Sequence, residues 1–195
     1  RKSNDKKEIN ITDKDEIEIL NKAYIQLEKD LSQVEQLIPA KHLRKLKKVK
    51  IWISFNTQAG AAYHPSEQWL RENGRNPKMA KGIEIQNAQN YLDWLKSQPM
   101  IILHELSHAY HHQVLGYNNK AILVAFNKAK KEGLYDSVEY IAGGKKRAYA
   151  MSNEKEYFAE LTEAYFGKND FFPFTKKELK THDPIGYELI NKSWK

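Results

Sequence analysis

A motif with the spacing of a metal site lies in the middle of the chain. The run His104-Glu105-Leu106-Ser107-His108 has the H-E-x-x-H pattern. On a helix, residues four positions apart share one face, so both imidazole rings can reach the same metal ion. Glu105 would then stand beside the metal and take a proton from a water that the metal activates. The pattern predicts His104 and His108 as ligands and Glu105 as a catalytic general base.

The residues around the motif favour a metal site over plain packing. The apolar run Met100–Leu103 precedes the motif, and we expect the helix to start near Ser97–Pro99 and to end at Gly116. Two histidines and a glutamate on a buried helix would be costly without a function. The chain has no cysteine, so histidine, aspartate or glutamate must hold any metal.

A catalytic zinc ion needs a third protein ligand and leaves its fourth position to water. The metzincin spacing is excluded, because Val114 stands where that class needs a histidine. His111 and His112 follow the motif, but they lie a whole turn beyond His108. We therefore expect them to be packing or exposed histidines rather than ligands.

A second predicted helix supplies better candidates. Three acids recur on it at helical spacing: Glu156, Glu160 and Glu163. Such a stripe is usually a solvated face, but small residues between the acids would let this helix, Asn153–Phe166, pack against the metal helix. Because each residue advances about 100°, Glu154 points away from Glu156. Glu160 lies one turn beyond Glu156, about 6 Å along the axis, so one zinc cannot easily bind both.

From about Met100 to Gly167, the sequence resembles the catalytic domain of anthrax lethal factor and its gluzincin relatives. The resemblance is carried by His104–Ala109 and by the run Tyr149-Ala-Met-Ser-Asn-Glu-Lys-Glu-Tyr-Phe-Ala-Glu160. It implies a zincin-like domain in which His104, His108 and Glu156 bind Zn²⁺.

The resemblance also implies roles for two neighbouring residues. Tyr149, seven residues before Glu156, would donate its hydroxyl to the developing oxyanion. Glu160 would accept a hydrogen bond from the outer nitrogen of a histidine ligand. The stretch Tyr63–Leu70 also looks like uncharacterised bacterial lethal-factor-like metallopeptidases. Nothing in the sequence resembles the toxin's receptor-binding and substrate-docking domains, so its toxin activity and its kinase substrates do not carry over to this chain.

The remaining pattern predicts an α+β fold, mostly helical with a small sheet. Residues 11–195 should form one catalytic domain after a loose charged tail at residues 1–10. A strand is predicted at Val49–Phe55, a loop at Asn56–Ala62 and a second strand at Gly82–Gln86. We expect this second strand to be the sheet edge that receives a peptide, with Ile83 and Ile85 in contact with substrate.

Composition narrows the possible partners. The net charge of +7 is spread along the chain, and no zinc-finger spacing or RNA-binding aromatic signature accompanies it, so we expect no nucleic-acid partner. No apolar run approaches the roughly 18 residues of a membrane span. The absence of cysteine and a first residue other than Met favour a secreted or extracytoplasmic protein whose signal region has been removed.

The sequence therefore predicts a zinc endopeptidase acting on a peptide or protein substrate. Two alternatives remain open. The chain could be an inactive, peptidase-like module that binds metal and acts through protein contacts, although the intact Glu105 counts against this. It could also be a zinc hydrolase of another amide, because attack on any amide carbonyl needs the same groups. The substrate sequence and the oligomeric state are not predicted.

Overall fold

The structure is a computed structural model that describes residues 14–195, and the tail predicted at residues 1–10 lies outside this range. The helices are α1 (Lys14–Leu37), α2 (Ala40–Leu46), α3 (Glu67–Glu72), α4 (Ala88–Trp94), α5 (Ile101–Tyr110), α6 (Lys120–Lys131), α7 (Glu154–Phe166), α8 (Lys176–His182) and α9 (Pro184–Ser193). The strands are β1 (Ile51–Ile53), β2 (Asn56–His64), β3 (Gly82–Asn87), β4 (Val138–Glu139) and β5 (Lys145–Lys146). Helices dominate and the sheets are small, which confirms the predicted α+β class.

The helix that carries the H-E-x-x-H motif is buried on nearly every side. Within α5, all residues from Ile101 to Tyr110 except His108 are buried. One π-helical segment, His111–Leu115, continues it, and Gly116 ends it with a positive φ of 77°. In residues 14–195, no helix is both long and apolar enough to cross a membrane.

Strand β3 lies in the centre of the three-stranded sheet, whose order is β1-β3-β2. It pairs in parallel with β1 and antiparallel with β2. The prediction that Gly82–Gln86 forms the edge that receives a peptide is therefore wrong. Ile83 and Ile85 are fully buried, so they cannot contact a substrate. The polar residues of this strand, Glu84 and Gln86, are buried as well, so its alternation does not mark an exposed face.

Strand β2 is an edge strand of this sheet, although the sequence predicts a loop at Asn56–Ala62. This segment is a strand because β3 supplies its hydrogen-bonding partner, with an irregular register between Asn56 and Ala61. Gly60 fits closely here: its N–H donates to Gln86 Oε1 at 3.2 Å, and a Cβ would lie 3.1 Å from that oxygen. Glycine and alanine are disfavoured in strands on propensity scales, but here their small size permits the close approach to β3.

Helix α7 starts where the sequence predicts it. The Asn153 side chain accepts hydrogen bonds from Lys155 N and Glu156 N at 2.9 and 3.1 Å, which caps the helix. The helix packs against α5 and is buried along Tyr157–Ala164. The stripe of acids on α7 therefore faces the interior rather than solvent.

A buried carboxylate anchors the far side of α7. Asp183 Oδ2 accepts hydrogen bonds from the hydroxyls of Tyr157 and Tyr135 at 2.6 and 3.1 Å, and Oδ1 accepts from Gly186 N at 2.8 Å. Asp183 is also the N-cap of α9, so this one side chain joins two helices and the segment after α6.

We expect Asp183→Ala to lower the free energy of unfolding by about 2–4 kcal/mol, because two buried tyrosine hydroxyls and a helix-end N–H would lose their acceptor. Urea denaturation monitored by circular dichroism measures the change. The control is Asp136→Ala at an exposed carboxylate, which should change stability by no more than about 0.5 kcal/mol. Equal effects of the two substitutions would contradict this role for Asp183.

Candidate metal centre

Three side chains from α5 and α7 converge on one point. His104 Nε2, His108 Nε2 and Glu156 Oε2 form a triangle in which all three distances are 3.1 Å. The two rings lie one helical turn apart on α5, and Glu156 comes from the first turn of α7. The structure thus brings together the three residues that the sequence predicts as ligands.

The triangle fits a zinc ion. Zn–N and Zn–O bonds of about 2.0–2.1 Å at a tetrahedral angle place the ligand atoms roughly 3.3 Å apart, close to the observed spacing. Two imidazoles and one carboxylate are a donor set typical of catalytic zinc, and N/O sites also accept other divalent ions. Because His104 Nδ1 faces a carboxylate, its hydrogen belongs there, and the Nε2 lone pair then points into the triangle.

The electrostatics of the triangle favour a positive charge at its centre. Burial disfavours the charged ring of His104, but the carboxylates of Glu163 and Glu156 outweigh it and raise the pKa of His104. Burial likewise opposes ionisation of Glu156, but when the two rings are protonated, hydrogen bonds from His104 and His108 outweigh it and lower the pKa of this carboxyl. A proton or a metal cation can supply the charge that these groups share.

The outer nitrogen of His104 is held by Glu163 rather than Glu160, which corrects the prediction. His104 Nδ1 lies 2.6 Å from Glu163 Oε1, whereas Glu160 Oε2 accepts from Asn169 Nδ2 at 3.3 Å. Glu163 follows Glu156 by two turns and returns to within about 20° of its direction, whereas Glu160 is rotated by about 40°. The His104 ring therefore spans two turns of α7.

Glu105 is positioned by the backbone of the edge strand. Its Oε2 accepts a hydrogen bond from Tyr63 N in β2 at 2.7 Å. Glu105 is buried, yet it lines the same cavity of about 680 Å³ as the three converging residues. The sequence gives no sign of this role for Tyr63, because a backbone donor carries no side-chain signature.

Tyr149 lies at the mouth of the cavity, in the 3₁₀ turn Tyr149–Met151. Its ring centroid is 6.4 Å from that of His104, and half of the side chain is exposed. Burial and the nearby Glu156 carboxylate raise the pKa of Tyr149, which keeps its hydroxyl protonated and able to donate. The turn places Tyr149 beside the triangle but outside the hydrophobic core.

The two histidines after the motif lie away from the triangle. His111 is fully buried between Tyr117 and Phe158, with ring centroids 5.0 and 5.1 Å from it. His112 Nδ1 lies 2.9 Å from the Tyr63 hydroxyl. Neither belongs to a group of residues that could hold a metal ion within residues 14–195.

Comparison with known proteins gives one distant likeness. No protein-family model and no curated protein matches this chain. A solved structure that is similar to it is the Pro-Pro endopeptidase PPEP-2 from Paenibacillus alvei. The two share 20% sequence identity over 88% of this chain and 89% of that one, with a TM-score of 0.49. The resemblance to lethal factor stays a prediction from the motifs.

We expect Glu163→Gln to weaken zinc affinity by about tenfold or more, since it removes the charged acceptor that orients a histidine ligand. Glu160→Gln should change the affinity by less than about threefold, because this acid does not bond to a ligand. Competition with a chromophoric chelator measures both dissociation constants. If Glu160→Gln weakened zinc binding and Glu163→Gln did not, the assignment of the outer-nitrogen acceptor would be wrong.

Proposed function

We propose that the chain is a zinc-dependent endopeptidase. The observation that carries the proposal is the triangle of His104, His108 and Glu156 atoms, 3.1 Å apart on every side, which opens onto a cavity that Glu105 also lines. Two histidines and one carboxylate would hold Zn²⁺ and leave a position for water. The resemblance to gluzincins supports the same ligand set.

The roles of the protein groups follow from their positions. When bound, zinc supplies Lewis acidity that acidifies an attacking water and polarises the substrate carbonyl. Glu105 takes a proton from that water as its oxygen attacks the carbonyl carbon, and Tyr63 N–H holds the carboxylate in place. As the C–N bond breaks, Glu105 returns the proton to the leaving amine. Tyr149 donates its hydroxyl to the negative charge that develops on the carbonyl oxygen.

Within residues 14–195, no strand pairs with the outer edge of β2, which favours a peptide over another amide as the substrate. In β2, Tyr63 N points to Glu105 and away from β3. Tyr63 pairs with Ile83 of β3, and Ile83 N–H donates to Lys50 O on the far side of β3 rather than to β2. Backbone groups alternate along a strand, so the N–H and C=O of Ala61 also point away from β3. Gly60, Ala61 and Ala62 line the cavity. An extended peptide can therefore add to this edge as a further strand.

We expect Glu105→Gln to keep zinc at one ion per chain and to abolish cleavage, because the amide cannot carry the proton. The assay digests a peptide library and reads new termini by intact mass, with zinc measured by elemental analysis. The matched control is Glu154→Gln in the first turn of α7, which should cleave like the wild type. Wild-type protein that binds zinc but cleaves no peptide would support the inactive module or the hydrolase of another amide.

Tyr149→Phe should keep zinc and the fold while lowering kcat by roughly 100-fold, the scale of one lost oxyanion donor. Steady-state kinetics on a cleaved peptide and a thermal melt check both parts. An unchanged kcat would remove Tyr149 from the mechanism, whatever happened to the melting temperature.

Ala61→Pro should raise KM for peptides roughly tenfold or more, because the lost N–H faces the cavity and proline is tolerated at a strand edge. Ala62→Pro is the matched control, since the N–H of Ala62 faces β3 and its loss should lower the melting temperature instead. If both variants melted alike and kept the wild-type KM, peptide binding along β2 would be contradicted.

A further inference from the structure

Tyr63 contacts the helix of the H-E-x-x-H motif at two places, with its backbone and with its side chain. Its N–H donates to Glu105 Oε2 at 2.7 Å. Its hydroxyl lies 2.9 Å from His112 Nδ1 and 3.0 Å from Gln113 Nε2, in the π-helical segment that continues α5. The proposed mechanism uses only the backbone contact.

The hydrogen bonds at this hydroxyl have a defined direction. Gln113 Nε2 can only donate, so the Tyr63 oxygen accepts from it. The single hydroxyl hydrogen can then go to His112 Nδ1, which accepts it when the ring is neutral. Burial and the nearby Lys81 lower the pKa of His112, and burial raises the pKa of Tyr63 to about 12. At neutral pH the ring is therefore an acceptor and the hydroxyl a donor.

The π-helical turn brings both partners of the hydroxyl to the side of the helix that meets β2. His112 follows Glu105 by seven residues, so in a regular α-helix it would stand within about 20° of the same direction, two turns away. Gln113 would be rotated by about 80°. Because a π-helical turn closes over five residues rather than four, each residue advances by less than in an α-helix, and Gln113 turns back toward the direction of Glu105.

The same glutamine also holds the chain segment before β3. Gln113 Nε2 donates to Lys81 O at 3.4 Å, and Lys81 N donates to His64 O at 2.7 Å. His64 follows Tyr63 at the end of β2. Contacts at Glu105 and at Gln113, roughly two helical turns apart, leave this end of β2 little freedom to slide along the helix.

The position of β2 matters because it sets the orientation of the proposed general base. Glu105 is buried, and among residues 14–195 the Tyr63 N–H is the one hydrogen-bond donor to its carboxylate. A displacement of Tyr63 would therefore turn the carboxylate with it. Misplacement of a reacting group by about 1 Å can lower a rate by about 100-fold.

We propose that the Tyr63 side chain is a positioning residue for Glu105. Its hydroxyl, held by His112 and Gln113, fixes β2 where the Tyr63 N–H orients the carboxylate toward the attacking water. The inference rests on the proposed peptidase function. The hydroxyl touches no reacting atom, so its loss should affect the chemical step rather than the binding of zinc or peptide.

The first test is Tyr63→Phe, which removes the hydroxyl and keeps the ring. We expect kcat to fall roughly tenfold and KM to change by less than about threefold, because Ala61 keeps its pairing with Ile85 of β3. Zinc affinity should stay at the wild-type value. The control is Tyr165→Phe, which loses a hydroxyl bond to Asn191 outside the cavity and should keep the wild-type kcat. A lower melting temperature with unchanged kcat in Tyr63→Phe would overturn the inference.

A second background tests whether the effect passes through Glu105. Glu105→Asp keeps a carboxylate but shortens the side chain by one methylene, so the carboxylate loses the Tyr63 N–H. In this background, Tyr63→Phe should lower kcat by less than about twofold. The same tenfold loss in both backgrounds would contradict a role that acts through Glu105.

Amide exchange separates failure of this inference from failure of the proposed function, because it needs no substrate. With tyrosine labelled by ¹⁵N, NMR follows the Tyr63 N–H, and Gln113→Leu should speed its exchange roughly tenfold. Gln89→Leu, at an exposed glutamine that donates to Asp93 in its own helix, should leave the exchange unchanged. Faster exchange in Gln113→Leu without cleavage of any peptide would support the positioning and contradict the peptidase. Unchanged exchange would overturn the positioning even if peptides were cleaved.

Discussion

The arrangement of the site depends on one imidazole ring that bridges two helices. His104 projects from α5 and contacts α7 at both nitrogens, with Glu156 at 3.1 Å and Glu163 at 2.6 Å. These acids are seven residues apart, so they stand on one face of α7 two turns from each other. Contacts at both ends fix the plane of the ring and the separation of the helices. His108, four residues further along α5, then reaches Glu156 without any further element.

A second constraint joins this helix pair to the sheet. The Glu105 carboxylate is held by a backbone N–H of β2, so its position depends on strand register rather than on a partner side chain. That register is set by β3, which lies between β1 and β2 with its isoleucines fully buried. Backbone groups alternate in direction along β2. The alternation that directs Tyr63 N–H to Glu105 also points the N–H and C=O of Ala61 away from β3. The proposed base and the proposed peptide-binding edge thus depend on the same strand register.

The cavity is rich in acidic residues, although the chain as a whole is positively charged. The protein carries a net charge of +7, yet five acids line the cavity: Glu105, Glu156, Glu160, Glu163 and Asp170. Two lysines line it as well, and their amino groups lie over the rings of Tyr140 and Tyr117. Net charge describes the long-range field, whereas a buried group responds to its neighbours within a few ångströms. The electrostatic potential inside the cavity is therefore determined by these local groups rather than by the net charge.

The amino-acid sequence was sufficient for the features that depend on local spacing. The four-residue interval between His104 and His108 puts both rings on one face of any helix, and Asn153 caps α7 wherever that helix packs. Three features needed the tertiary structure: the central position of β3, the strand character of Asn56–Ala62 and the choice of Glu163 over Glu160. Whether a strand is central or at an edge depends on which strands pair with it, as for β3. The small residues of Asn56–Ala62 form a strand because β3 is present to pair with them. The two acids differ by about 60° in direction on α7, and the angle at which α5 crosses that helix decides which of them meets His104.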